Sequence, residues 1–169
     1  WKSSIYSGKT LKLVTANIRR NSPLCLDSRI HHANLINNIL AKIEANHAGV
    51  DDAIMLDLNG FVAETNATNI FMIKNGNVYT PFPKSCLPGI TRDLIIEICN
   101  NNNILILEKD ISLTELYNAD EVFTTGTMGE LARVIEIDKR RIENKGGILI
   151  ELQCLFRKLT EIEGERLTF

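Results

Sequence analysis

Apolar and polar positions alternate along residues 11–18, LKLVTANI, with the period of two that a half-buried strand requires. From Asn34 the period lengthens. Leu35, Ile36, Ile39, Leu40 and Ile43 fall on one helical face, and the run ends near Gly49. Four short strands are predicted next, AIMLD, GFVAE, NIFMIK and NVYT, with turns at Asn59-Gly60 and Asn75-Gly76. Asn-Gly between apolar runs signals a hairpin, because both central residues of a type I′ turn need positive φ. The four strands therefore read as a meander. Beyond a proline-containing loop at 81–88, TRDLIIEICNNN reads as a helix and ILILEKD as a strand. SLTELYNA then reads as a short helix, DEVFTT and LARVIEID as strands, and residues 148–161 as a closing helix. The asparagine run at 100–103 is a helix end with its turn.

A chain of 169 residues with 44% hydrophobic content can bury a core in one domain, or in one large domain with a small appendage. A formal charge of −2 with both signs interleaved gives no field for a polyanion, which argues against nucleic-acid and membrane-surface roles. Cys25, Cys86, Cys99 and Cys154 are scattered without a CxxC pair. They fit a reducing, intracellular setting, cytoplasmic or organellar. No apolar run approaches the roughly 18 residues of a membrane span, and no basic-then-apolar signal opens the chain. The first residue is Trp1 rather than Met, which leads us to expect a fragment, a processed chain or an excised domain.

Three stretches carry candidate chemistry. LDSRIHHANL, residues 26–35, gathers Arg29, His31 and His32 just ahead of the first helix. The two histidines make a poor metal site, since neighbours on a strand point to opposite faces and no third ligand stands nearby. In LPGITR, residues 87–92, Pro88-Gly89 makes a tight turn and the hydroxyl of Thr91 opens a helix. Such an N-terminus presents unpaired backbone N–H groups that can hold a phosphate, although ordinary capping is its commoner use. In TTGTMGE, residues 124–130, Gly126 lies between Thr125 and Thr127 at a strand end. Small hydroxyl residues and a glycine let the backbone approach a ligand closely. Glu64 ends a strand and is followed by Asn69 and an aromatic residue.

Taken in order, NNILAKIEAN, DDAIMLD, GFVAETNATNIF, VYTP, LPGITRD and LYNADEVFTTGTMGEL resemble the class IV pyridoxal-phosphate-dependent aminotransferases over roughly residues 11–140. That family includes branched-chain and D-amino-acid aminotransferases and aminodeoxychorismate lyase. The resemblance implies a mixed α/β fold of the D-amino-acid aminotransferase-like kind, fold type IV, whose large domain is a barrel-like mixed sheet flanked by helices. Residues 1–169 would form that large cofactor-binding domain, without the family's small N-terminal domain. The cofactor would be pyridoxal 5′-phosphate, the substrates an amino acid and a 2-oxo acid, and the assembly a homodimer. Glu64 would pair with the pyridinium nitrogen and keep it protonated, so that the ring can act as an electron sink. Ile90 and Thr91, with Gly126 and Thr127, would hold the phosphate.

One position departs from the family in its chemistry. Family members carry a Schiff-base lysine ahead of the first helix, and this chain has no lysine between Lys12 and Lys42. Relatives that share the IHHxNLINN wording place it at Arg29, and a gapless alignment to D-amino-acid aminotransferases places it at His31. A guanidinium stays protonated and is a poor nucleophile, and an imidazole shuttles protons but forms no stable imine. Lys9, Lys12 and Lys42 are poor substitutes by position, Lys42 because it lies two turns into the helix. Arg133-Val134 and Asp138-Lys139 replace the family's proline-valine and aspartate-glycine pairs, and only Gly146-Gly147 remains of a glycine-rich stretch. Two readings follow: a transaminating enzyme, or a non-catalytic paralogue that keeps the fold and the cofactor site.

Overall fold

The structure, a computed structural model, describes residues 10–30 and 33–163, so Trp1, Lys9, His31 and His32 lie outside the described residues. Among the described residues nine strands form one curled, mixed sheet. They are β1 (Thr10–Thr15), β2 (Asp52–Leu56), β3 (Val62–Thr65), β4 (Asn69–Lys74), β5 (Asn77–Thr80), β6 (Ile106–Glu108), β7 (Glu121–Gly126), β8 (Glu130–Ile137) and β9 (Arg140–Arg141). The helices are α1 (Ile36–Ala48), α2 (Ile90–Asn101), α3 (Leu113–Tyr117) and α4 (Ile148–Glu163). The expected mixed α/β class with a barrel-like sheet is what the chain forms.

The sheet order is β3-β2-β1-β8-β7-β4-β5-β6, with β9 on β8. The four strands read as a meander are therefore two separate hairpins, β2–β3 and β4–β5, with β1, β8 and β7 between them. The inner edges of those hairpins are taken by β1, parallel to β2, and by β7, antiparallel to β4. Both partners are remote in sequence, so local turn chemistry carries no trace of them. The two Asn-Gly turns also differ. Asn75 and Gly76 have φ of 51° and 80°, as a type I′ turn demands. At Asn59-Gly60 only Gly60 is positive, at 87°, and the Asp57 carboxylate instead accepts from the N–H groups of Asn59 and Phe61. The missed strand β9 returns onto β8 through Asp138 and Lys139, with φ of 50° and 64°.

Strand alternation divides the interior into layers. Leu11, Leu13, Ile54, Ile70, Met72, Val122 and Val134 fill the concave side under α3. Phe71, Ile73 and Phe123 pack against Ile95 and Ile98 of α2 and Leu149, Leu152 and Phe156 of α4, and the Phe71 and Phe123 rings stack 4.9 Å apart. α1 covers β1 and β2 through Ala41 and Ala45, which meet Ala16, Ala53 and Met55.

The packed face of α1 is thus its alanine face, with Asn37 buried beside it. Leu35, Ile36, Ile39, Leu40 and Ile43, the stripe that periodicity picks out, remain 42–59% exposed. Small side chains let the helix lie close on the sheet, and the larger apolar residues are left facing outward.

Candidate functional site

Glu64 owes its orientation to a register shift. β3 places Val62 opposite Leu56 but Glu64 opposite Met55, so two steps along β3 match one along β2. Directly paired residues share a face. Val62 and Leu56 join the concave core, whereas Met55 faces α1, and Glu64 turns to that side with it. A bulge of this kind commonly re-aims a side chain beside a functional site.

There the Glu64 carboxylate is 6% exposed. Its Oε1 lies 2.9 Å from Arg20 Nη2, and its Oε2 accepts from the Leu87 N–H at 3.4 Å. Burial pushes the carboxyl up to about 7, against the opposing pull of the Arg20 cation and the Leu87 N–H. Desolvation of the charge outweighs one ion pair here.

Arg20, which the sequence reading did not single out, organises the surroundings. Nε donates to the Ser85 carbonyl, Nη1 to Asn37 Oδ1 and Asn38 Oδ1, and Nη2 to Ser28 Oγ. The guanidinium thus ties α1 and two loops to the acid. Its signal in the sequence is faint, since Arg19-Arg20 after a strand resembles any charged surface pair.

The two candidate phosphate turns meet at Asn69. In the sheet Asn69 pairs with Thr125, the residue before Gly126. Its Nδ2 donates 2.8 Å to the Leu87 carbonyl, and a Cβ on Gly89 would fall 2.3 Å from its Oδ1. Glu64, Leu87, Asn69 and Thr125 therefore form a continuous line from the buried acid to both turns.

The start of α2 differs from the sequence expectation. Gly89 is the N-cap, in extended backbone and with no side-chain cap bond, and Thr91 is the buried second residue of the helix. Thr91 does not cap because its hydroxyl lies inside the helix rather than ahead of it, so the first N–H groups are left open to an anion. Ile90 is 78% exposed beside them. At the other turn Gly126 packs on Thr68, Thr127 is exposed, and the buried Thr125 Oγ1 has no hydrogen-bond partner. An uncapped helix start, an orphan hydroxyl and a deeply buried acid suit a phosphorylated, nitrogen-containing ring.

A cavity of about 380 Å³ opens between α1 and β3, with Glu64, Arg20, Leu87, Leu35, Ile39 and Lys42 among its walls. Ile90, Thr91, Gly126 and Thr127 are not in its walls and lie past Leu87. Arg29 is not in them either. Its backbone N–H and guanidinium fold back onto the Asp27 carboxylate, with Nη2 2.9 Å from Oδ2. That contact holds Asp27 below the usual carboxylate range and Arg29 above its own. His31, the gapless alternative, is outside the described residues. Among the described residues no group of three or more His, Cys, Asp or Glu side chains could hold a metal, and no helix is long and apolar enough to cross a membrane.

This arrangement can be set beside known proteins. The chain is 56% identical over 167 residues to branched-chain-amino-acid aminotransferase-like protein 2 of Arabidopsis thaliana, covering 97% of this chain and 30% of that one. It is 42% identical over 148 residues to the branched-chain-amino-acid aminotransferase of Pseudomonas aeruginosa, covering 80% and 48%. The fold matches the crystal structure of the Thermoproteus uzoniensis branched-chain aminotransferase with norvaline at a TM-score of 0.87 and 34% identity, covering 92% and 53%. It matches the Thermobaculum terrenum branched-chain amino acid aminotransferase, in its PLP form, at 0.85 and 30%, covering 89% and 50%. The chain thus spans from under a third to about half of the length of these relatives. The family model for amino-transferase class IV matches residues 1–137, and with the fold in agreement, the chain belongs to the class IV aminotransferases.

Proposed function

We propose that the chain forms the large cofactor-binding domain of a branched-chain aminotransferase-like protein, which binds pyridoxal 5′-phosphate and moves an amino group between an amino acid and a 2-oxo acid. The observation that carries this reading is the buried Glu64–Arg20 pair on the cavity wall, linked through Leu87 and Asn69 to two anion-suited turns. When bound, the cofactor supplies an electron sink for charge that develops at the substrate Cα. Glu64, as a carboxylate, would face the ring nitrogen and hold the proton there by its opposite charge. Arg20 keeps the carboxylate aimed. The open N–H groups of Ile90 and Thr91, with Gly126 and Thr127, receive the phosphate. Leu35, Ile39 and Leu87 line the cavity with aliphatic surface that keeps water from the ring and suits a branched aliphatic side chain.

Homodimer formation belongs to the same proposal and is supported by the uncovered apolar stripe of α1. One observation favours a second reading, a non-catalytic paralogue that keeps the cofactor site: Arg29 is spent on Asp27 and brings no amine to the cavity. A single experiment separates the two. Pyridoxal phosphate binding is followed by absorbance, and amino transfer from leucine to 2-oxoglutarate is assayed in the same sample. Binding with transfer supports the enzyme, binding without transfer supports the paralogue, and no binding rejects both. Thr127→Ala should weaken binding, and an unchanged dissociation constant removes Thr127 from the site.

A further inference from the structure

α2 opens with a buried cation where a helix disfavours one. Arg92 is the third residue of the helix, in its first turn, and is 3% exposed, whereas the electropositive start of a helix is stabilised by anions. We propose that Arg92 is a positioning residue for the cofactor site: it fixes the loop of residues 81–88, and through that loop the N–H group that Leu87 gives to Glu64. This rests on the cofactor reading above.

The contacts trace the route. Arg92 Nη2 donates to the Pro81 carbonyl at 3.0 Å and meets the Glu108 carboxylate, and Nη1 lies 3.3 Å from Asp93 Oδ1. The guanidinium so joins the start of α2 to β6 and to the first residue after β5. Beyond Pro81 the loop is held repeatedly. The buried Cys86 thiol lies 3.9 Å from the Phe82 carbonyl, and the Ser85 carbonyl accepts from Arg20 Nε at 3.1 Å. The Leu87 N–H then reaches Glu64 Oε2, and the Leu87 carbonyl accepts from Asn69. Arg92 grips the near end of the loop and Arg20 the far end, and the N–H partner of the acid belongs to the segment they hold.

A lysine cannot take over this task. Contacts to three groups on different elements need the planar fork of a guanidinium, and an ammonium is a single point charge. The charged and titratable groups set around Glu64 are Arg20 from the segment after β1, Cys86 of the loop, and Arg92 of α2 with Glu108 of β6, whose charges both act on that thiol. Lys42 of α1, paired to Asp52 of β2, stands in the same cavity wall. Burial, followed by the Glu64 charge, pushes the Cys86 thiol up to about 12, so it stays neutral. Arg92→Lys leaves the charges of this set as they are and alters where the loop sits. The Leu87 N–H favours the charged form of Glu64, and losing such a donor raises the proton affinity of a carboxylate.

The test compares the native chain and Arg92→Lys, each against its Glu64→Gln counterpart, by urea unfolding as a function of pH. In the native chain the difference changes as Glu64 titrates at about 7. In Arg92→Lys that window is expected to move up by about one pH unit, and the affinity for pyridoxamine phosphate, read by calorimetry, to fall about tenfold, each the worth of one hydrogen bond to a charged group. A merely structural role lowers stability at every pH and leaves the window in place, so an unmoved window overturns the proposal. Pro81→Gly keeps every charge and frees the carbonyl that Arg92 holds. It should move the window in the same direction, and it decides the matter if Arg92→Lys does not fold. Pyridoxamine phosphate carries the ring and phosphate of the cofactor and needs no lysine, so its binding to the native chain reads the cofactor site alone. If it binds the native chain and the window stays in place, the proposal for Arg92 fails while the cofactor reading stands. If it does not bind the native chain, both fail.

Discussion

Arg20 Nη2 lies 2.9 Å from Glu64 Oε1, with the two side chains 6% and 8% exposed, and the same guanidinium also reaches Ser28, Asn37, Asn38 and Ser85. Two buried charges are compensated chiefly by each other. Each therefore determines what the other can do.

Removal of the cation should be costly. Arg20→Met leaves the Glu64 carboxylate buried without its charge partner and frees four acceptors. Breaking one side of such a pair typically costs about 3–5 kcal/mol. Urea unfolding should show a loss of that order, with Arg20→Lys intermediate. A loss below about 1 kcal/mol, the range of exposed pairs, would mean that the pair is solvated.

Glu64 should make stability depend on pH. Its carboxyl is raised from an ordinary 4.5 to about 7 by burial. The protonated acid favours the fold fully below about 4.5, and that contribution is lost as pH rises through about 7. Glu64→Gln does not titrate, so its stability relative to the native chain should rise across this window, by up to about 3 kcal/mol. A difference that stays flat with pH would show that the folded carboxyl titrates at its ordinary value.

Gly89 should matter for binding more than for folding. A Cβ there would stand 2.3 Å from Asn69 Oδ1, so Gly89→Ala must push the amide away from the Leu87 carbonyl. We expect a loss of about 1 kcal/mol in stability, the worth of one hydrogen bond, and a clear drop in pyridoxamine phosphate affinity measured by calorimetry. Unchanged affinity would separate the α2 turn from the cofactor site.

Lys139 is held at φ of 64° in the turn between β8 and β9. Left-handed backbone costs a residue with a Cβ roughly 1–2 kcal/mol, so Lys139→Gly should stabilise the chain by about 1 kcal/mol. The midpoint of urea unfolding reports it, and no gain would show that the turn relaxes elsewhere.

Element by element, local pattern carried far. β4 and β5 have the bounds that NIFMIK and NVYT predict, and Asn75-Gly76 forms the turn expected of it. Such features depend on neighbours within a few residues, where propensity and turn chemistry act. Glu64, Gly89, Gly126 and the class IV aminotransferase motifs were also visible in the sequence, because close backbone approach and a lone acid at a strand end leave marks in residue type.

What the chain order could not reveal is which distant groups meet. The parallel pairing of β1 with both β2 and β8, and hence the split of a supposed meander, depends on partners 39 and more than 120 residues away. The packed face of α1 was decided by how closely a helix can lie on a sheet, which favours Ala41 and Ala45 over the leucines and isoleucines that a periodicity count selects. Arg20 became a partner of the acid, and Lys42 a wall of its cavity, only through folding. A charged side chain reads as surface until tertiary structure removes it from water and gives it one counter-charge to face.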